Sequence, residues 1–400
     1  MDKHIKAIIV NLIGLLGLLI FFFYVFQTFT AWSSKGRPTP IGEDFAIFWT
    51  ASALSLAGEP QTIYDPAKLQ AAQQTLIGKQ TPPGCGWYYP PVFLLMVLPL
   101  ALLPYLVSLG LWLAFTISAY LLVVRCIAPH PLTLFLTLAF PATCWNLFYA
   151  HNGFFSAALL GGGLLLLNRS PVLAGILLGC MCYKPQLALL IPIALLAGRC
   201  WKALIATIAS ILALSLVSTL VLGYEVWRAF WGALILHKSL FESGHLIMYQ
   251  FVPTFFSAAM LAGCQPATAY ILQGILMLGA VLAIFLVWSV EGPSAVSAAV
   301  LVLAILLFPH FYCLYDLTLL ALPLAWLGWE GYTKGWLPGE IFVLILAWIM
   351  PVFKFFLGGM NIQLAPWVLL TLMVFALRRH YRTWGFHSPK ALLLRFKNVN

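Results

Sequence analysis

Apolar runs of membrane-spanning length recur along almost the whole of this 400-residue chain. A bilayer-spanning helix needs about 20 mostly apolar residues, and the first such run covers residues 8–30. The chain is 62% hydrophobic and 8% charged, with a mean hydropathy of +0.98, whereas soluble domains carry roughly 25% charged residues. The sequence therefore predicts an all-α polytopic membrane protein, with roughly 12 transmembrane helices in a single integral membrane domain over residues 1–400.

The distribution of basic residues predicts the topology of these helices. Lysine and arginine favour the cytoplasmic ends of membrane helices, and they precede the first run and dominate the last residues of the chain. We therefore expect both termini to be cytoplasmic, with residues 379–400 as a basic tail. Residues 31–87 and 223–263 are then the first and second extracytoplasmic loops, each carrying amphipathic helices.

One of the four apolar runs between residues 88 and 167 does not fit this topology. Four crossings would return the chain to its starting side, yet Arg169 is expected in the cytoplasm. The sequence does not identify the run that fails to span. The first candidate is 131–149, because Pro141 interrupts it and proline breaks helices.

The composition also excludes several classes of function. The net charge of +10 comes from basic residues in short loops and in the tail, a distribution typical of a cytoplasmic membrane surface and not of a nucleic-acid-binding protein. The eight cysteines and eight histidines are scattered, without zinc-site spacing. No phosphate-binding glycine loop occurs, so we expect no cofactor, no metal and no nucleic-acid partner.

Acidic residues are concentrated just after the first apolar run. Four of the 11 carboxylates lie between residues 42 and 65, and Glu43 and Asp44 stand where an amphipathic helix begins. An apolar stripe that includes Phe45 and Phe48 predicts that this helix lies along the membrane. Asp44 is then placed to act as a general base. The alternative is that it caps the helix, while Asp65, which precedes a proline, is predicted to be a turn residue.

Charged residues inside or beside apolar runs form a second group of candidates. Lys184 separates two short apolar runs, and an intramembrane charge indicates function; the alternative is a side chain that extends to the membrane surface. An ammonium group there could hold a phosphate diester. His310 and Asp316 lie close together in a later run and could bind phosphate or orient a base. The alternative is that they satisfy each other as a buried pair.

Weaker candidates come from the two extracytoplasmic loops and from a helix start. Tyr89 belongs to an aromatic cluster that could stack on a sugar or form an interfacial belt. Arg228 and His237 lie in the second loop, where the alternative is a solvated amphipathic helix. Asn152 follows a histidine at a predicted helix start.

Several of these segments, in this order, resemble glycosyltransferase family 87. They are Asp44-Phe45 with Ile63-Tyr64-Asp65-Pro66, Tyr89-Pro90-Pro91 with Leu98-Pro99-Leu100, Leu173 to Lys184-Pro185, residues 249–263, and Phe308-Pro309-His310. The family often has a Gly-Gln-Xaa-Asn sequence where this chain has His151-Asn152-Gly153, so the chain departs from the family there. The resemblance extends over most of residues 42–325.

The resemblance implies a GT-C-type enzyme of a bacterial inner membrane. Such an enzyme transfers a sugar, mannose or another hexose or pentose, from a polyprenyl-phosphate-linked donor to a lipid or glycan acceptor outside the membrane. By resemblance Asp44 is the catalytic base, and Lys184 and His310 line the phosphate or acceptor site. We add Glu43, Tyr89, Asn152, Arg228, His237 and Asp316 as substrate-binding candidates, and we expect membrane lipids to be partners.

The alternative interpretation is a flippase or transporter of lipid-linked sugars. In that case Lys184, His310 and Asp316 would form its polar pathway. A transporter has no need of an extracytoplasmic helix that begins with an acidic residue, so we expect the enzyme.

Overall fold

The computed structural model describes residues 39–82, 86–242, 249–353 and 360–384, together with a few isolated positions before residue 39. Over these ranges the chain is helical and contains no strand. The predicted first span at 8–30 lies mostly outside the described residues, and so does the tail beyond residue 384.

Many of the helices are short, and prolines often stand at their first positions. The bounds are α1 (Glu43–Leu56), α2 (Pro66–Ile77), α3 (Pro91–Val97), α4 (Tyr105–Ile127), α5 (Leu132–Leu138), α6 (Pro141–Tyr149), α7 (Gly153–Leu166), α8 (Pro171–Cys180), α9 (Pro185–Ala188), α10 (Leu190–Ala197), α11 (Trp201–Leu222), α12 (Tyr224–Glu242), α13 (Phe255–Leu261), α14 (Pro266–Glu291), α15 (Ala295–Leu307), α16 (Ala321–Lys334), α17 (Glu340–Ile349) and α18 (Ala365–Trp384). Short 3-10 segments at Pro60–Tyr64, Leu98–Leu102, Met181–Tyr183, Leu314–Leu320 and Met350–Val352 connect or extend them.

Three described helices, α4, α11 and α14, are long and apolar enough to cross a membrane. The pair α5 and α6 is bent by 54° and could form a fourth, broken span. These helices indicate a membrane protein, but the expected count of roughly 12 spans is not confirmed. The main reason why fewer spans are found is that several apolar runs fold as helices of only 10–17 residues.

The apolar run 131–149 is broken next to Pro141, as the sequence predicted. Helix α5 ends at Leu138, Phe140 is extended, and Pro141 occupies the first position of α6. Because proline cannot donate an amide hydrogen bond, it starts a new helix and does not continue the old one.

Helix α15 forms the centre of the bundle. Every residue from Val296 to Leu307 is buried, and α14, α16 and α18 pack around it. A helix that is apolar on all sides belongs inside a core or a membrane. Helix α11 is the opposite case, since Leu212 is 64% exposed and Leu220 75% exposed, as expected of a helix that faces lipid.

Helix α8 packs closely against α11 through two glycines. A Cβ atom on Gly175 would lie 2.4 Å from the carbonyl oxygen of Ala203, and one on Gly179 would lie 2.8 Å from that of Thr207. These glycines are four residues apart, the spacing that lets membrane helices approach to backbone contact.

The α1 stripe was expected to face the membrane, but its residues Phe45 and Phe48 are packed inside the protein, so that prediction is wrong for them. Phe45 and Phe48 are 0% and 1% exposed. The Phe48 ring lies 5.2 Å from that of Phe93 and 6.2 Å from that of Trp87. The apolar stripe therefore packs into the protein core and holds the start of α1 in a fixed position.

A buried ionic cluster joins the ends of α14, α17 and α18. Arg379 donates hydrogen bonds to both carboxylate oxygens of Glu340, and His380 Nδ1 lies 2.5 Å from Glu291 Oε1. Residues 379–384, the start of the predicted basic tail, thus belong to the last helix that the structure describes. Paired burial is the usual way to accommodate charges in an apolar protein.

Candidate active site

Five polar residues that the sequence places far apart come together at helix ends and breaks. Asp44 lies in the first turn of α1, Tyr89 just before α3, Asn152 between α6 and α7, Lys184 before α9, and Asp316 in the 3-10 segment 314–320. Some backbone N–H and C=O groups at such positions have no partner within a helix, so they can form other hydrogen bonds. The following contacts, and for Asp44 its electrostatic interactions with Lys184 and Asp316, define this group, which we call the polar cluster.

Lys184 and Asp316 form a buried ion pair at the centre of the polar cluster. Their Nζ and Oδ1 atoms are 2.5 Å apart, and the side chains are 2% and 3% exposed. Pro185 ends the preceding segment and leaves Lys184 in a non-helical conformation, so its side chain is free to point inward. The second carboxylate oxygen of Asp316 accepts a hydrogen bond from the backbone amide of Cys313 at 3.3 Å.

Aromatic residues and a histidine surround this ion pair. The Tyr89 hydroxyl lies 2.9 Å from His151 Nε2, and the His151 ring stacks on Tyr315 with a centroid separation of 3.4 Å. The Lys184 ammonium lies 5.9 Å from the Tyr89 ring centroid and 5.3 Å from that of Tyr315. Burial lowers the pKa of His151 well below its ordinary value, and the charge of Lys184 adds to this effect. His151 is therefore neutral.

Asp44 shares the electrostatic environment of this group. The residue is partly exposed, yet its carboxyl group is largely surrounded by protein. Desolvation, followed by the adjacent Glu43 carboxylate, raises the pKa of Asp44 to about 8, whereas the positive charge of Lys184 lowers it. Asp44 is not the helix cap, because the N-cap is Gly42 and no side chain caps this end. The capping interpretation of Asp44 is wrong.

Asp65 has a local role, as the sequence predicted, but it is a helix cap and not a turn residue. Its carboxylate accepts hydrogen bonds from the amides of Ala67 and Lys68 at 3.0 and 3.2 Å and caps α2. Glu43 instead accepts a hydrogen bond of 2.8 Å from Thr39.

His310 and His237 belong to a different cluster. His310 lies among the rings of Phe241, Phe256 and Tyr270, and His237 lies 4.2 Å from the Tyr88 ring. Burial lowers the pKa of both histidines, that of His237 to about 4. Asp316 pairs with Lys184, so the alternative of a mutually satisfied pair of His310 and Asp316 is wrong.

Two other candidates occupy contrasting environments. Arg228 is exposed and pairs with Glu225 on the same helix at 3.0 Å, so it lies at the surface, unlike the buried residues of the polar cluster. Asn152 is fully buried beside His151, and neither of its amide atoms makes a well-formed hydrogen bond. Its side chain nevertheless interacts with those of Tyr89 and His151, which makes Asn152 a member of the polar cluster.

Sequence reasoning gave too little weight to His151 and overlooked Tyr315. The sequence places His151 at a predicted helix start and assigns Tyr315 no role. A usable signal was that both adjoin a polar residue at a break in an apolar run. Among the described residues, no group of three or more histidine, cysteine or acidic side chains is arranged to hold a metal ion.

Comparison with known proteins provides the family. The model of glycosyltransferase family 87 matches residues 87–309, which is more than half of the chain. The matched range includes Tyr89, Asn152 and Lys184, while Asp44 and Asp316 lie outside it. No curated protein and no solved structure gave a significant match. The family match agrees with the resemblance seen in the sequence, and the chain belongs to glycosyltransferase family 87.

Proposed function

We propose that this membrane glycosyltransferase transfers a sugar from a polyprenyl phosphate to a lipid or glycan acceptor on the extracytoplasmic face of a bacterial inner membrane. Mannose is the first candidate among hexoses and pentoses. The observation that carries the proposal is the buried pair of Lys184 and Asp316, with which the carboxyl group of Asp44 interacts electrostatically. A base and a cation in a low-dielectric site are the two groups that displacement of a phosphate requires.

The proposed reaction is a single displacement with inversion, on a GT-C-type bundle. Asp44 takes the proton from the acceptor hydroxyl, and the acceptor oxygen attacks the anomeric carbon of the donor sugar. The bond from this carbon to the phosphate oxygen breaks, and polyprenyl phosphate leaves with the electron pair. The proton remains on Asp44 until it passes to solvent.

The raised pKa of Asp44 suits this role. A general base works best when its pKa lies near the operating pH, and a pKa of about 8 gives an ionised form more basic than an ordinary aspartate. The cost is that only about a tenth of the enzyme is ionised at pH 7, by the definition of pKa.

Lys184 is proposed to hold the leaving phosphate while Asp316 holds Lys184. A lysine ammonium has three N–H donors, so the bond to Asp316 leaves others for phosphate oxygens. Since Asp316 is occupied on both oxygens, we assign it to the positioning of Lys184 and not to contact with substrate.

The remaining candidates take supporting roles in this proposal. Tyr89 and Asn152 are proposed to face the sugar, and His237 and His310 the acceptor, because their cluster adjoins the first through the neighbouring residues Tyr88 and Tyr89. Glu43 raises the pKa of Asp44. Arg228 is exposed and pairs with Glu225, so nothing supports a contact between Arg228 and the phosphate.

The test uses the full-length protein in lipid nanodiscs with a radiolabelled polyprenyl-phosphate sugar and total membrane lipid. Release of polyprenyl phosphate together with a labelled acceptor product supports the proposal. Movement of intact donor across the bilayer of a proteoliposome, without product, would support the flippase instead. A flippase would need Lys184, His310 and Asp316 to form one polar pathway. Because Lys184 and Asp316 pair with each other and His310 lies in a different cluster, the structure does not favour this pathway.

A further inference from the structure

Helix α12 carries an apolar face that no other described part of the chain covers. Trp231 is 57% exposed, Ile235 is 72% exposed, and Leu234 and Leu236 are 38% and 45% exposed. Consecutive large apolar side chains on a protein surface mark an interaction site or a membrane contact. The sequence predicted a solvated helix here as an alternative, which this surface does not fit.

The opposite face of the same helix is anchored to the protein. Val226 is 1% exposed and Phe230 is 4% exposed, and the Phe230 ring lies 6.2 Å from that of Tyr64. Near the other end, His237 lies 4.2 Å from Tyr88. The middle of α12 is thus apolar on both sides, as expected of a helix that lies between a protein and a bilayer.

The chain leading into α12 indicates what covers the outer face. Helix α11 is a candidate membrane span with 11% of its apolar window buried, so its exposed surface faces lipid. It ends at Leu222, and Gly223 alone, with φ of 86°, separates it from α12. Helix α12 therefore begins where α11 leaves the membrane, and the lipid-facing surface of α11 continues into it.

The charges near this face are paired within the helix. Arg228 pairs with Glu225 at 3.0 Å, and Lys238 lies 3.8 Å from Glu242. No net charge remains to select anionic lipid, so the contact depends on buried apolar area.

From these observations we propose that the exposed face of α12 rests in the outer leaflet, at the boundary between lipid head groups and acyl chains. Its partner is the bilayer surface itself, including lipid without net charge. This helix takes the interfacial position that the sequence assigned to α1. The proposal does not depend on the sugar transfer.

The test places a photo-crosslinking amino acid at position 235 of the full-length protein in phosphatidylcholine nanodiscs. Position 212, in the lipid-facing surface of α11, is the positive control, and Gln74, an exposed residue of α2, is the negative control. We expect lipid adducts at 235 and 212 but not at 74, with equal yield when a third of the lipid is phosphatidylglycerol.

Three results would overturn the proposal: a yield at 235 as low as at 74, a crosslink to a second copy of the chain, or an adduct that forms only with anionic lipid. A second arm places the crosslinker at Trp231 and compares Ile235→Asp with Ser239→Asp, a substitution at an exposed polar position of the same helix. Only Ile235→Asp should reduce the lipid adduct, with unchanged thermal unfolding as the check on folding. Equal yields in the two variants would contradict the contact.

Discussion

The Lys184 ammonium and the Asp316 carboxylate are 132 residues apart in sequence and 2.5 Å apart in space. Both side chains are almost completely buried. The pair joins the break between α8 and α9 to the 3-10 segment before α16, so it fixes the shape of the polar cluster as well as its charge.

Removing one member of this pair should destabilise the protein. Asp316→Asn leaves a buried ammonium without a counter-charge, and breaking a buried pair costs about 3–5 kcal/mol. Thermal unfolding in nanodiscs measures the loss. Arg228→Gln breaks an exposed pair and is the control, with an expected change below about 1 kcal/mol.

The double variant Lys184→Met, Asp316→Leu separates stability from activity. Replacing both charges with apolar groups should recover most of the stability, yet leave transfer as low as in either single variant. A double variant as unstable as the sum of the singles would show that the two residues do not act as a pair.

Activity should follow the ionisation of Asp44. We expect kcat/KM to increase as pH rises and to level off above about 8, because the base must be deprotonated and its pKa is raised to about 8. Asp44→Asn should reduce transfer by about 10²–10⁴-fold while donor binding stays near that of the wild type. Full activity in this variant would refute the assignment of Asp44 as the base.

The same raised pKa predicts a pH effect on stability. Because the folded protein holds the Asp44 proton more tightly than the unfolded chain, this group stabilises the fold below pH 3.8, and the contribution is lost as pH rises to about 8. The melting temperature of Asp44→Asn, relative to wild type, should therefore increase between pH 5 and 8 and then stay constant. A difference that is independent of pH would show that Asp44 has an ordinary pKa.

The hydrogen bond between Tyr89 and His151 should matter for both folding and transfer. Tyr89→Phe keeps the ring but leaves a buried ring nitrogen without its partner, at a cost of about 1–3 kcal/mol. We also expect lower transfer activity, because Tyr89 is proposed to face the sugar and loses its hydroxyl group. Tyr120→Phe removes a buried hydroxyl that lies 3.2 Å from Thr143 on another part of the bundle. It should affect stability alone.

Close packing of α8 and α11 gives a test of the fold. Gly175→Val should destabilise the protein or prevent its accumulation in the membrane, because even a Cβ atom would lie 2.4 Å from the Ala203 carbonyl oxygen. Gly274→Val, in the candidate span α14, meets no atom within 4 Å and should be tolerated. Expression level and thermal unfolding of the two variants provide the comparison, and equal behaviour would contradict the packing.

Properties that depend on short stretches of chain could be predicted from the sequence. Composition indicates a helical membrane protein, and Pro141 divides an apolar run. Asp65 has the local role expected of an aspartate before proline, although it caps a helix and does not form a turn. The exposed helix α11 likewise follows from a continuous apolar run. In each case the physical cause lies within a few residues of the feature. The causes are the missing amide proton of a proline, a nearby hydrogen-bond acceptor and a continuous apolar surface.

The partners of buried groups depended on the tertiary structure. The sequence placed Lys184, His310 and Asp316 in one group, but the folded chain pairs Lys184 with Asp316 and leaves His310 in an aromatic cluster. The surroundings of two helices are also the reverse of those expected from the sequence. Phe48 of α1 is in the core, whereas Ile235 of α12 is exposed. Periodicity shows that a helix has an apolar face but not whether protein or lipid covers it, because both are equally apolar. Which charge meets which depends on how distant helices pack, and only the folded bundle determines that.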